Sequence, residues 1–218
     1  MSANTHTRSS PPGTLEPFGA LSKIKASTAS EVCELAGLSN AGCALLTPEL
    51  GFGEFLAVLM EQELLIDAVA LMAHALPKRE AVWWACLAAR AVVDEQTPEE
   101  IHSTLESAEA WVYKSTDEMR RAAMAQAHKT QFDHAAVWAA VGAFWSGGSM
   151  VAPELPAVPP AEHLTGLAVS GAVKLAVLAR EPERAPEKFR ALLAQAIDIA
   201  KGGSGRPKKG NESQALRS

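Results

Sequence analysis

Four times along this chain a hydroxyl residue stands within three positions of a carboxylate ahead of an apolar run with helical spacing, and no stretch alternates as a half-buried strand would. Thr28-Ala29-Ser30-Glu31 has the form of a capping box, in which hydroxyl and carboxylate satisfy the orphan amides of a first turn. Thr47-Pro48-Glu49, Thr97-Pro98-Glu99-Glu100 and Ser115-Thr116-Asp117-Glu118 place proline or acids where a helix begins. Behind these signals run the stripes Ile101, Leu105, Ala108 and Val112; Trp138, Val141 and Trp145; Leu164, Leu167, Gly171, Leu175 and Leu178; and Phe189, Leu193, Ala196 and Ala200.

These patterns predict helices over 28–37, 40–46, 52–75 with room for a break, 77–93, 98–114, 116–129, 133–146, 160–181 and 186–201. The expectation is an all-α single domain of about eight or nine helices, an antiparallel bundle or a solenoid-like stack of helix pairs. The 218 residues suffice for one core, and 48% hydrophobic with 21% charged residues is globular composition. Residues 1–27, rich in Ser, Thr, Pro and Gly, read as a disordered leader, 28–201 as the helical domain and 202–218 as a disordered basic tail.

The net charge of −5 is unevenly distributed. Within 28–201 there are 13 basic and 23 acidic residues, so the body is expected to repel phosphate backbones and bind no nucleic acid. Cys33, Cys43 and Cys86 are odd in number and widely spaced, which fits reduced thiols rather than a disulfide framework. There is no secretory h-region, and Asp67, His74 and Lys174 interrupt the best apolar runs, so a cytoplasmic protein without a membrane span is expected.

Two stretches stand out. ALPKREAVWWACLAAR opens with Pro77 and carries Lys78, Arg79, Glu80, Trp83 and Trp84. Neighbouring residues on a helix point about 100° apart, so the two tryptophans serve different layers. Cations in a first turn face the positive end of the dipole, so Lys78 and Arg79 should either pair with Glu80 or a neighbouring carboxylate, or await an anionic partner. The second stretch runs from Trp145, Ser146, Gly147 and Gly148 through a proline-rich crossing to Pro159, Pro160 and His163. It reads as a rigid strap between helices, or as the edge of a groove that receives a peptide or small ligand.

Catalytic signatures are missing: there is no nucleophile elbow, P-loop, dinucleotide fingerprint or H-E-x-x-H, and no cofactor is expected. Ser146 or Ser149 with His163 would be the one nucleophile–base pairing, and nothing in the sequence brings them together. His128 and His134 make a poor metal spacing, and Glu61, Glu63 and Asp67 read as an acidic solvated face. Gly166, Ser170 and Gly171 would let a second helix approach closely.

ALPKREAVWWACLAAR, FWSGGS and PAVPPAEHLTGLAVSGAV resemble the marks of an uncharacterised bacterial family, a domain of unknown function, over 28–201. The matching positions are Leu76, Pro77, Lys78, Arg79, Glu80, Trp83 and Trp84, then Phe144, Trp145, Ser146, Gly147, Gly148, Pro159, Pro160 and His163. The family pattern is richer in proline where Ala161 and Glu162 stand here. The resemblance implies a bacterial setting near type VI secretion genes and brings no catalytic residue. The resulting expectation is a non-enzymatic accessory protein, an adaptor or chaperone, that binds a protein partner such as a secretion effector or spike component. Its contact surface would be Lys78, Arg79, Glu80, Trp83, Trp84 and the Trp145–His163 loop. The alternatives are a small-molecule-binding protein or hydrolase using the Trp145–His163 groove, and a purely structural helical scaffold.

Overall fold

Helix starts form where a side chain reaches a first-turn amide. The computed structural model describes residues 17–26 and 28–206. Ser39 caps α2 (Asn40–Leu45), its Oγ accepting from the Gly42 amide, and Thr116 caps α7 (Asp117–Ala127) by accepting from Met119. The expected box at Thr28 is not a cap: α1 (Ser30–Ala36) begins after Ala29 without a side-chain cap bond, and Thr28 instead bridges to Gly51. Thr47-Pro48-Glu49 forms a turn, and α3 (Phe52–Glu61) follows it, Glu54 accepting from the Gly51 amide at 2.9 Å.

The predicted helix over 52–75 is two helices. Glu63 adopts a left-handed φ of 60°, so the chain turns before α4 (Leu65–Ala75). The remaining elements are α5 (Lys78–Arg90), α6 (Glu99–Tyr113), α8 (Ala135–Phe144), α9 (Leu164–Leu178), a 3-10 turn (Pro182–Arg184) and α10 (Ala185–Ala200). Among the described residues there are ten α-helices and no strand, so the chain is an all-α single domain.

The order of packing follows from side-chain size. α8 is buried all round and packs on α9, α5, α6 and α7; α9 packs on α5 and α4 as well. At the centre lie Trp84, Phe55, Leu56, Leu59, Leu71, Leu105 and Leu193, each contributing on the order of 1.5–3 kcal/mol by leaving water. No helix among the described residues is long and apolar enough to cross a membrane.

Three expectations change. The described part of the leader is packed, with Phe18, Leu21 and Ile24 against the core and the Lys23 amide donating to the Ala200 carbonyl at 2.8 Å. The start of the tail is also held, because the Gly203 amide donates to the Asp198 carbonyl and the Gly205 amide to its carboxylate, both at 2.8 Å. The rest of the leader and tail lies outside the described residues. Third, the leucine stripe of α9 is not its core face: Ala168, Val169, Ala172, Val173, Ala176 and Val177 are buried instead, while Leu167 and Leu178 are exposed. Small side chains allow the closer helix approach, and that face takes the interior.

Candidate functional site

Pro77, at φ −53° and ψ 142°, turns the chain out of α4 and sets Lys78, Arg79 and Glu80 on the first turn of α5. Arg79 and Trp83 are four apart and share a face, while Trp84, about 100° further round, points inward. Trp84 is fully buried and donates from Nε1 to the Leu192 carbonyl at 2.9 Å, so it belongs to the core and not to a contact surface. Glu80 does not pair with Lys78 or Arg79; its carboxylate meets Lys23 at 3.2 Å. Arg79 is exposed.

Arg79, Glu80 and Trp83 line a cleft of about 330 Å³, closed by Lys23, by Val112 and Tyr113 at the end of α6, by Ile199 in the last turn of α10, and by Gly202 and Gly203 beyond it. Trp83 is fixed as its wall: Nε1 donates to the Ser204 carbonyl at 2.8 Å, the Arg206 guanidinium lies 4.9 Å from the ring centroid, and Tyr113 stands 6.3 Å away. Tyr113 is 73% exposed, so its ring is available to whatever enters. Lys23 also lines a neighbouring cleft of about 320 Å³ with Lys25, Glu31, His74, Pro77 and Glu162.

The Trp145–His163 stretch is a strap. Arg120, nearly buried, donates to the Phe144 carbonyl at 2.7 Å, to the Ser149 carbonyl at 2.9 Å and to Asp117 at 2.6 Å, with its guanidinium 4.6 Å from the Phe144 ring centroid. Arg121 bonds Asp117 and the Val151 carbonyl, and Arg121 and then Arg120 hold the Asp117 carboxyl below the usual carboxylate range. Gly148, at φ 63°, leaves room for this cluster, since a Cβ there would lie 2.8 Å from Arg120 and from Asp117. The Ser149 hydroxyl accepts from Val151 and Val158, and Thr165 donates to the Trp145 carbonyl at 2.9 Å.

Trp145 and Ser146 are half-buried, Gly148, Pro159 and His163 exposed. No hydrogen bond joins Ser146 or Ser149 to His163 among the described residues, and none of the three lines the cleft beside Trp83. Cys33 and Cys86 are poor nucleophiles: burial, with Cys43 adding, pushes Cys33 up to about 11, and burial raises the Cys86 thiol as well. No group of three or more His, Cys, Asp or Glu that could hold a metal ion occurs among the described residues. The acidic face expected on α4 is not all solvated, for Asp67 is buried and accepts from the Ser39 amide at 2.9 Å and its hydroxyl at 2.6 Å.

Sequence reading missed Tyr113, Lys23 and Arg120. Tyr113 is the chain's single tyrosine and sits one residue past an apolar stripe, which was the available signal. Asp117 three and four residues before Arg120 and Arg121 marks the strap's anchor.

Fold and site together define an all-α single-domain protein with an open cleft walled by aromatic and basic side chains. The chain belongs to a family of unknown function, DUF6931, whose model matches residues 55–200 and so spans both singled-out stretches. Neither a curated protein nor a solved structure matches it.

Proposed function

We propose that the protein is a non-enzymatic binding module whose partner protein docks in the cleft beside the first turn of α5. The observation that carries this reading is the convergence of Arg79, Lys23, Trp83 and Tyr113 on one opening of about 330 Å³. Such a site suits an acidic segment that also carries an apolar or aromatic side chain: Arg79 meets the carboxylate, Lys23 being paired with Glu80, and Trp83 and Tyr113 take the apolar group. The acidic body around this basic corner favours one docking orientation and repels others. The secretion setting implied by the resemblance makes a type VI effector or spike component the first partner to try, with this protein as adaptor or chaperone in the cytoplasm.

The test is affinity capture from the native host at low salt with the wild-type chain and with Arg79→Glu combined with Tyr113→Ala, followed by reconstitution with the purified candidate. The expected result is a protein held by the wild type, lost in the variant and released by salt. Equal retention by both chains overturns the assignment of this cleft.

A further inference from the structure

The leucine stripe of α9 faces outward over most of its length, with Leu175 packed in part against the core. Leu164, Leu167, Gly171, Leu175 and Leu178 share one face; Leu167 is 49% and Leu178 54% exposed, and the other three are half-buried. Lys174, the one charged residue of the helix, lies at the edge of the stripe. Beside it stands a row of rings, Phe132, Trp138 and Trp145, with successive centroids 6.3 Å apart, and Trp138 lies against Gly171. Phe132 is 43% exposed, so row and stripe form one open apolar surface.

The spacing of the stripe says what covers it. The leucines stand seven and four residues before Gly171 and four and seven after it, so the pattern reads the same in both directions. A twofold axis through Gly171 therefore sets apolar positions against apolar positions, as an isologous interface requires. Antiparallel pairing centred on Gly171 sets Leu164 opposite Leu178 of the second copy and Leu167 opposite its Leu175.

Gly171 itself points the same way. It has no left-handed φ, and a Cβ there would meet the Trp138 ring at 3.9 Å, an ordinary contact. Nothing within the chain requires a glycine, although glycine is among the poorest helix formers. Gly166 differs, because its Cβ would lie 2.4 Å from the His74 ring. A residue without a side chain at the centre of an exposed face lets a second backbone come close at the crossing point.

We infer that this face of α9 is a self-association surface: two copies pack antiparallel across a twofold axis at Gly171, with Trp138 filling the side of the crossing. One helix of 15 residues spans roughly 22 Å, and with the aromatic row it offers several hundred Å² a side. A standard interface buries about 800 Å² per partner, so the dimer is weak, dissociating on the order of micromolar.

Analytical ultracentrifugation of the full chain from low to several hundred micromolar tests this directly. The mass should rise toward the dimer, and Leu167→Glu with Leu178→Glu should hold it at the monomer with unchanged helical circular dichroism. In a Cys43→Ser background, which removes the exposed native thiol, Leu167→Cys combined with Leu175→Cys should cross-link one copy to the other on oxidation. Leu178→Cys should not, because the two copies of that position lie about 20 Å apart along the axis. A parent that stays monomeric throughout overturns the inference. So does a dimer that survives both glutamates, or one in which the Leu167→Cys, Leu175→Cys pair fails to cross-link.

Discussion

Lys23 Nζ lies 3.2 Å from Glu80 Oε1, which ties the segment before α1 to the first turn of α5 across 57 residues. Glu80 sits where the dipole favours an acid, and its charge is met by Lys23 rather than by Lys78 or Arg79 of its own turn. The Lys23 side chain is 43% exposed, so the ion pair is a surface one. Lys23→Ala should lower stability by no more than about 1 kcal/mol, measured by urea unfolding, and the loss should shrink as salt is added.

Arg120 should matter far more. Its guanidinium is the donor for two carbonyls at opposite ends of the glycine turn, Phe144 and Ser149, and is itself nearly buried. Arg120→Ala removes both bonds and leaves the Phe144 carbonyl short of a donor, at a cost of about 2–3 kcal/mol. Arg121→Ala, on a more exposed side chain, should cost under about 1 kcal/mol. Thermal unfolding of the two variants separates a strap anchored through Arg120 from one held by its own prolines.

The two glycines of α9 give opposite expectations. Gly166→Ala forces a methyl onto the His74 ring and should destabilise by about 1–3 kcal/mol. Gly171→Ala meets only an ordinary contact with Trp138 and removes a poor helix former, so the monomer should gain up to about 1 kcal/mol. Denaturant midpoints at low protein concentration, where self-association is negligible, make the comparison clean.

His74 makes stability depend on pH in a fixed direction. Its Nδ1 donates to the Ala70 carbonyl at 2.8 Å, its Nε2 is buried without a hydrogen-bond partner, and burial is the main cause that lowers its proton affinity. The backbone groups of Ala70 and then of His163 raise it back in part, and the charges of His163 and Lys174 lower it by less. The unfolded chain therefore binds a proton at the ordinary value near 6.5, before the folded chain does. Stability should fall as pH drops below that value and level off once the folded imidazole is also protonated. His134, lowered mainly by burial, adds in the same sense, so His74→Gln should flatten the urea-midpoint slope in mildly acid buffer without abolishing it.

Most helices could be read from the sequence because capping chemistry and the 3.6-residue period are local. Thr116 before Asp117 and the Trp138, Val141 and Trp145 spacing of α8 needed no distant contact to announce themselves. The break at Glu63 could not be read in that way, since a left-handed glutamate carries no local mark; its carboxylate is bonded to Arg190, far along the chain.

What the sequence by itself determined was the helical class, the approximate position of each helix, and that Lys78, Arg79 and Trp83 gather at one helix start. Only the tertiary structure decided which faces those helices bury. α9 carries two apolar faces, and the one made of alanine and valine won the interior because small side chains let α5 and α8 approach, which left the leucines outside. The tertiary structure also brought Lys23, Tyr113 and Gly202 to the Lys78–Trp83 corner, anchored the Trp145–His163 strap on Arg120, and sent Trp84 to the core. Those outcomes depend on contacts between residues scores of positions apart, and helical periodicity carries no information about them.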